Sequence, residues 1–187
     1  MIEKFMLKIL LILLLTLTTL TSNAAMLIDK INGFSLTKNS IQTIVFGSSK
    51  KLTVVIFLSK DCPCSKGNLG YLNELSKEFK DVQFIGVHSK KGTKAEEVAT
   101  YLQDKNLSFD IFIDSDLKIA DQFKALKTPH VFVLNSSGEI VYNGGVTNTT
   151  VPTNAKEHYL KNTLLELQNN TAVSHPETRT LGCFITR

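Results

Sequence analysis

Apolar residues along the chain follow two rhythms. Short runs rich in branched side chains occupy positions 52–58, 82–87, 109–113 and 130–134. Polar turns bound each run, which predicts buried strands. Two weaker pieces, 32–36 and 41–46, predict strands ahead of them. Leu69, Leu72, Leu75 and Phe79 recur at spacings of three and four and predict a helix over 65–79. A second helix is expected over 93–104, with Thr93 as N-cap and Glu96 three residues on in the capping-box pattern. A short helix is expected over 116–123. Ser136-Ser137-Gly138 reads as a hairpin turn into a strand over 139–142. A final helix over 155–168 would turn Tyr159, Leu160, Leu164 and Leu167 inward. Strands that alternate with helices imply a mostly parallel sheet covered on both faces, and the late hairpin adds antiparallel edge strands. Positions 169–187 are polar, contain Pro176, and read as a tail laid over the surface.

The start of the chain follows a different pattern. Lys4 and Lys8 precede a run from position 9 to 20 made only of Ile, Leu and Thr, and Ser22-Asn23-Ala24 follows. A positive start, roughly 12 apolar residues and a small-residue exit form a secretory signal. The run is short of the about 20 residues that a membrane span needs. The expected organisation is therefore a signal peptide over 1–24, one domain over 25–168 and a tail over 169–187, in a periplasmic or secreted protein. The net charge of +4 comes mainly from dispersed lysines, which gives no basic stripe for nucleic acid.

Export changes the meaning of the three cysteines. In an oxidising compartment thiols pair, bind metal, or are kept reduced for work, and an odd count leaves one outside any simple pair. Cys62 falls where a buried strand gives way to a helix. Backbone N–H groups and the helix dipole at that point stabilise a thiolate, and Pro63 suits the first turn, where its missing N–H costs nothing. Cys64 lies two residues on, and a ring closed between the two would be small and labile. Cys183 sits near the end of the tail between Gly182 and Phe184, as a second resolving partner, a free thiol or a dimer-linking thiol. Thr128-Pro129 enters a strand directly, which predicts a cis bond. His130 then lies beside that proline. It is expected to tune the Cys62 thiolate or, alternatively, to complete a Cu(I) site with Cys62 and Cys64. His88, His158 and His175 fit no cluster and are expected on the surface or in loops.

These stretches together resemble the thioredoxin fold and, within it, the redoxin branch that includes the AhpC/TSA peroxiredoxins and the TlpA-like exported oxidoreductases. The resemblance runs from about Ile31 to Leu167. Phe57-Leu58-Ser59-Lys60-Asp61-Cys62-Pro63 resembles the active-site strand and turn, and Thr128-Pro129 resembles the cis-proline loop. Residues 139–145 resemble the closing hairpin. The fold this implies is an α/β three-layer sandwich with a central mixed sheet flanked by helices, an N-terminal strand extension and a C-terminal tail. The activity it implies is thiol-disulfide exchange or thiol-dependent peroxide reduction without a cofactor. Cys62 would attack, Cys64 or Cys183 would resolve, and Ser59, Pro63, Thr128, Pro129 and His130 would line the substrate groove. The partners implied are protein thiols or disulfides, or peroxide, with a membrane or periplasmic thiol reductant. This chain departs from the pattern at three points. Ser65 stands where a thioredoxin has its second cysteine, and Val55 where a peroxiredoxin has a proline. The only arginines are Arg179 and Arg187.

Overall fold

The computed structural model describes residues 26–46 and 52–187. The leader expected over 1–24 lies outside the described residues, and among them no helix is long and apolar enough to cross a membrane. The elements in chain order are β1 (Lys30–Ser35), β2 (Ser40–Val45), β3 (Thr53–Leu58), α1 (Pro63–Glu78), β4 (Gln83–Ser89), α2 (Ala95–Leu102), β5 (Asp110–Asp114) and α3 (Lys118–Gln122). They continue with β6 (Lys127–Thr128), β7 (His130–Leu134), β8 (Ile140–Gly144), α4 (Tyr159–Gln168) and β9 (Cys183–Phe184).

Seven strands form one mixed sheet in the order β2-β1-β5-β4-β3-β7-β8. Only β3·β4 and β4·β5 are parallel; β1·β2, β1·β5, β3·β7 and β7·β8 are antiparallel. This is the central mixed sheet that the resemblance implies, with fewer parallel pairs than the alternation of strands and helices suggests. The reason lies at the two flanks, where hairpins rather than crossover helices supply the strands.

Side chains alternate across this sheet as pleating requires. Val54, Ile56 and Leu58 of β3, with Val131 and Val133 of β7, pack against Leu69, Leu72 and Leu75 of α1 and Leu160 and Leu164 of α4. Val55, Phe57, Phe132 and Leu134 point to the other face, against Ile119, Ala120 and Phe123. On that face Phe57, Phe123 and Phe132 meet edge to face, with ring centroids 5.1 to 5.6 Å apart. Such contacts add about 0.5–1.5 kcal/mol each beyond area burial, so β3 is anchored rigidly up to the turn that carries Cys62.

Three local expectations are corrected. The second helix starts at Ala95 behind Lys94, and no side chain caps it, so Thr93 does not make the capping box. The last helix starts at Tyr159 rather than 155, because Pro152–Asn154 forms a separate turn of 3-10 helix before it. The tail is not merely laid on the surface. Thr178 lends its hydroxyl to the buried Tyr142 at 2.7 Å, and further along β9 pairs antiparallel with β6.

Candidate active site

The site is assembled where the C-terminal ends of β3 and β4, the start of α1, and β6 converge. Cys62 occupies the N-cap position of α1 in extended conformation, with Pro63 in the first turn. Its carbonyl accepts the first helical hydrogen bond, from Lys66 N–H at 3.0 Å, and its own N–H donates to the Ser59 carbonyl at 3.2 Å. Ser65 Oγ accepts the Ser59 N–H at 3.2 Å, which ties the turn back to the helix. Ser59 and Pro63 therefore shape the loop that presents the thiol.

Thr128 and Pro129 are joined by a cis peptide bond, as the sequence leads one to expect. The Cys62 thiol donates to the Thr128 carbonyl at 2.9 Å. On the other side of Thr128 stands Cys183, its register partner in the β6·β9 pair. The arm that carries Cys183 is further fixed by Ile185 N–H to the Leu126 carbonyl at 2.9 Å and by Arg187, which bonds Asp121 and the Ala125 carbonyl. Ile185 is buried. Backbone pairing on a segment more than fifty residues downstream thus brings the third cysteine to the first. The sulfur atoms of Cys62, Cys64 and Cys183 all lie within 4.8 Å of one another.

The three thiols ionise very differently. Burial opposes charge on Cys62, but hydrogen bonds from Cys183 and Thr128, together with the amides of Ser65 and Cys183, outweigh it and bring the thiol down to about 6. The bond given to Cys62, burial, and the negative charge on Cys62 and Cys64 push the Cys183 thiol up to about 11. Burial and the neighbouring Cys62 charge also raise the Cys64 thiol. Cys62 therefore carries the thiolate, and two thiols that hold their protons lie beside it.

A cleft of about 140 Å³ opens beside Cys62, lined on one side by Ser59, Asp61 and Lys90 and on the other by Cys183 and Phe184. Asp61 receives Lys90 at 2.6 Å and Lys60 at 3.2 Å, and the Lys90 bond, ahead of the rest, holds its carboxyl below the usual range. Neither arginine lines this cleft.

His130 is not where the copper alternative requires it. Its Nε2 bonds Asn143 Oδ1 at 2.6 Å and its ring lies 4.4 Å from that of Phe132, on the β7 face remote from α1. The donor cluster among the described residues contains Cys183 in its place. Burial lowers the His130 pKa, so the ring stays neutral. The expectation for His88 is corrected as well: it is 2 % exposed, at the end of β4 beside Leu58, and its Nε2 accepts the Lys60 N–H at 3.0 Å. It props the loop that leads to Cys62. No local pattern marks this role, because the turn that His88 supports follows a different strand. His158 also has a role: its Nδ1 and the Tyr71 hydroxyl share a hydrogen bond at 2.9 Å ahead of α4.

The model of the AhpC/TSA family matches residues 27–143. No curated protein matches the sequence. Among solved structures, an uncharacterized conserved protein from Geobacillus kaustophilus has a TM-score of 0.79 at 18% identity, over 87% of this chain and 91% of that one. A hypothetical protein from Sinorhizobium meliloti 1021 has a TM-score of 0.76 at 16% identity, over 86% of this chain and 92% of that one. The thioredoxin domain of a thiol-disulfide oxidoreductase from Bacteroides vulgatus has a TM-score of 0.55 at 18% identity, over 65% of this chain and 89% of that one. These likenesses establish the thioredoxin-like α/β fold.

Proposed function

Because the chain belongs to the AhpC/TSA family, whose redox chemistry runs on a cysteine thiolate, we propose that it is an exported thiol-disulfide oxidoreductase in which Cys62 attacks and Cys183 resolves. The observation that carries this reading is the Cys62–Thr128–Cys183 arrangement: the thiolate, the carbonyl beside the cis-proline and the second thiol meet at one point.

The exchange follows from this geometry. The Cys62 thiolate attacks one sulfur of a protein disulfide, the substrate S–S bond breaks, and the other substrate sulfur leaves as a thiolate. Cys62 is then neutral in the mixed disulfide, so its hydrogen bond and its charge no longer hold Cys183 protonated, and burial and Cys64 alone oppose ionisation. Cys183 loses its proton to water, attacks Cys62 Sγ and releases the second substrate thiolate. Two electrons have passed to the substrate and a Cys62–Cys183 disulfide remains, which a dithiol reductant in the membrane or periplasm returns to two thiols. Run backwards, the same steps oxidise a substrate dithiol. Cys64, held in the first turn of α1 with its carbonyl on Asn68 Nδ2 at 2.9 Å, is the flanking thiol rather than the first to resolve.

Peroxide reduction fits less well. A thiolate peroxidase places an arginine against the peroxide, whereas Arg187 here is engaged with Asp121 and no arginine borders the cleft. Export is supported by the charged and apolar leader pattern of residues 1–24.

The test is a Cys64→Ser, Cys183→Ser double variant incubated with periplasmic protein disulfides. Mixed disulfides through Cys62 should accumulate and be identified by mass spectrometry. No adduct from a Cys62 that still alkylates fully would sink the proposal, and a peroxide rate far above that of free cysteine would redirect it.

A further inference from the structure

The three sulfurs come from three separate pieces of backbone: the N-cap of α1, its first turn, and β9. They nonetheless close a triangle with no side longer than 4.8 Å. A metal–sulfur bond of about 2.3 Å needs sides of about 4.0 Å when the ion sits at the centre of three sulfurs. Even the widest permitted side therefore has to shorten by less than about 1 Å, which side-chain rotation at the partly buried Cys64 and Cys183 supplies.

The donor set is all sulfur. Among the described residues no nitrogen or carboxylate joins the three sulfurs. His88 Nε2 accepts the Lys60 amide, His130 Nε2 is bonded to Asn143, and Asp61 is held by Lys60 and Lys90. Thiolate ligands select soft ions. Zinc closes its structural sites with four ligands in a tetrahedron, and among the described residues the cluster offers three. Cys62, at 2 % exposure, also leaves little room for water to complete a fourth position.

From this geometry we propose that reduced Cys62, Cys64 and Cys183 form a three-coordinate thiolate site for Cu(I). The site uses the sulfurs of the exchange reaction but does not depend on that reaction taking place. Copper displaces the thiol protons and leaves the sulfur oxidation state unchanged, whereas a Cys62–Cys183 disulfide removes two of the three ligands. Metal loading and disulfide formation therefore exclude one another, and a copper-loaded chain is shielded from oxidation.

The experiment is an anaerobic titration of the fully reduced full-length chain with Cu(I) against the chromogenic chelator bicinchoninate, followed by copper-edge X-ray absorption. One copper should be retained per chain, with three sulfur neighbours at about 2.3 Å. Cys183→Ser and Cys64→Ser should each weaken retention at least about tenfold, roughly 1.4 kcal/mol, and leave two sulfur neighbours. The inference is overturned if the chelator strips the wild-type chain, if Cys183→Ser retains copper as tightly, or if the absorption spectrum requires a nitrogen ligand. The mixed-disulfide experiment uses no metal, so either proposal can fail while the other stands.

Discussion

Thr128 and Cys183 face each other as register partners across the β6·β9 pair, and the carbonyl of that same Thr128 receives the Cys62 thiol at 2.9 Å. One residue thus sets the spacing of both sulfurs: its backbone aligns the arm, its carbonyl accepts from the protonated Cys62 thiol, and its side chain bonds the thiolate.

The Cys62 thiolate owes much of its stability to Cys183. Initial rates of iodoacetamide alkylation should rise with pH about a midpoint near 6. Below that midpoint the reactive form is lost. A hydrogen bond to a charged group contributes about 1.5–3 kcal/mol, equivalent to about one to two pKa units. Cys183→Ala should therefore move the midpoint up by about one unit or more, with no change in the limiting rate at high pH. A midpoint unmoved by that substitution would show that the helix start alone holds the charge.

His130 serves the core and not the thiolate. Its Nε2 is bonded to Asn143 inside the protein, while its Nδ1 has no partner. Asn143→Ala leaves a second buried imidazole nitrogen unsatisfied and should cost about 1–3 kcal/mol in urea unfolding. The Cys62 alkylation profile of that variant should be superimposable on the wild type. A shifted midpoint would restore His130 as a tuning residue.

Strand-and-turn signals around Cys62 and Thr128-Pro129 were legible in the sequence because they are local: a branched run, a proline in the first helical turn, and a proline entering a strand. The placement of Cys183 was not, and the sequence left it open as a resolving, free or dimer-linking thiol. Its place depends on β9 adding to β6 across more than fifty residues, and two-residue strands leave no period in the sequence to read. His88 escaped for a related reason. A histidine at the end of an apolar run is indistinguishable from a surface residue until the adjacent turn, here Lys60, is known to lie against it. Closeness in sequence to the cis-proline does not bring His130 into the sulfur cluster. Pleating instead turns it toward Phe132.

Acid should loosen the turn before Cys62. Burial, above the opposing pull of Asp61 and with the help of Lys60 and Lys90, holds His88 at about 4. Unfolded chains take up that proton near 6.5. Stability from this residue is complete above pH 6.5, falls as the pH drops toward 4, and changes no further once both states are protonated. The loss amounts to about 3 kcal/mol, and His130 adds to it with the same sign. Urea midpoints measured from pH 7 to 4 should fall accordingly, and His88→Gln should flatten most of that slope. An equally steep slope in the variant would assign the effect elsewhere.

The arm that brings Cys183 also covers Cys62, which is only 2 % exposed. A substrate disulfide therefore reaches the thiolate only when the arm moves. Gly182 makes this contact possible, because a Cβ there would run into the Thr128 carbonyl oxygen and approach Pro129 N at 3.1 Å. The obstruction is backbone, which cannot rotate away. Gly182→Ala should therefore lift β9 from β6 while leaving Thr178 on Tyr142 and the main sheet in place. Three results should follow together: Cys183 alkylates about tenfold faster, Cys62 forms mixed disulfides faster with a peptide disulfide, and those adducts resolve more slowly because the second thiol is no longer delivered. Faster attack with slower resolution identifies the arm as both cover and reductant. Slower attack would mean that the arm's contribution to the Cys62 thiolate outweighs its obstruction. The Cys62 alkylation midpoint, measured on the same variant, separates the two by showing how much thiolate remains.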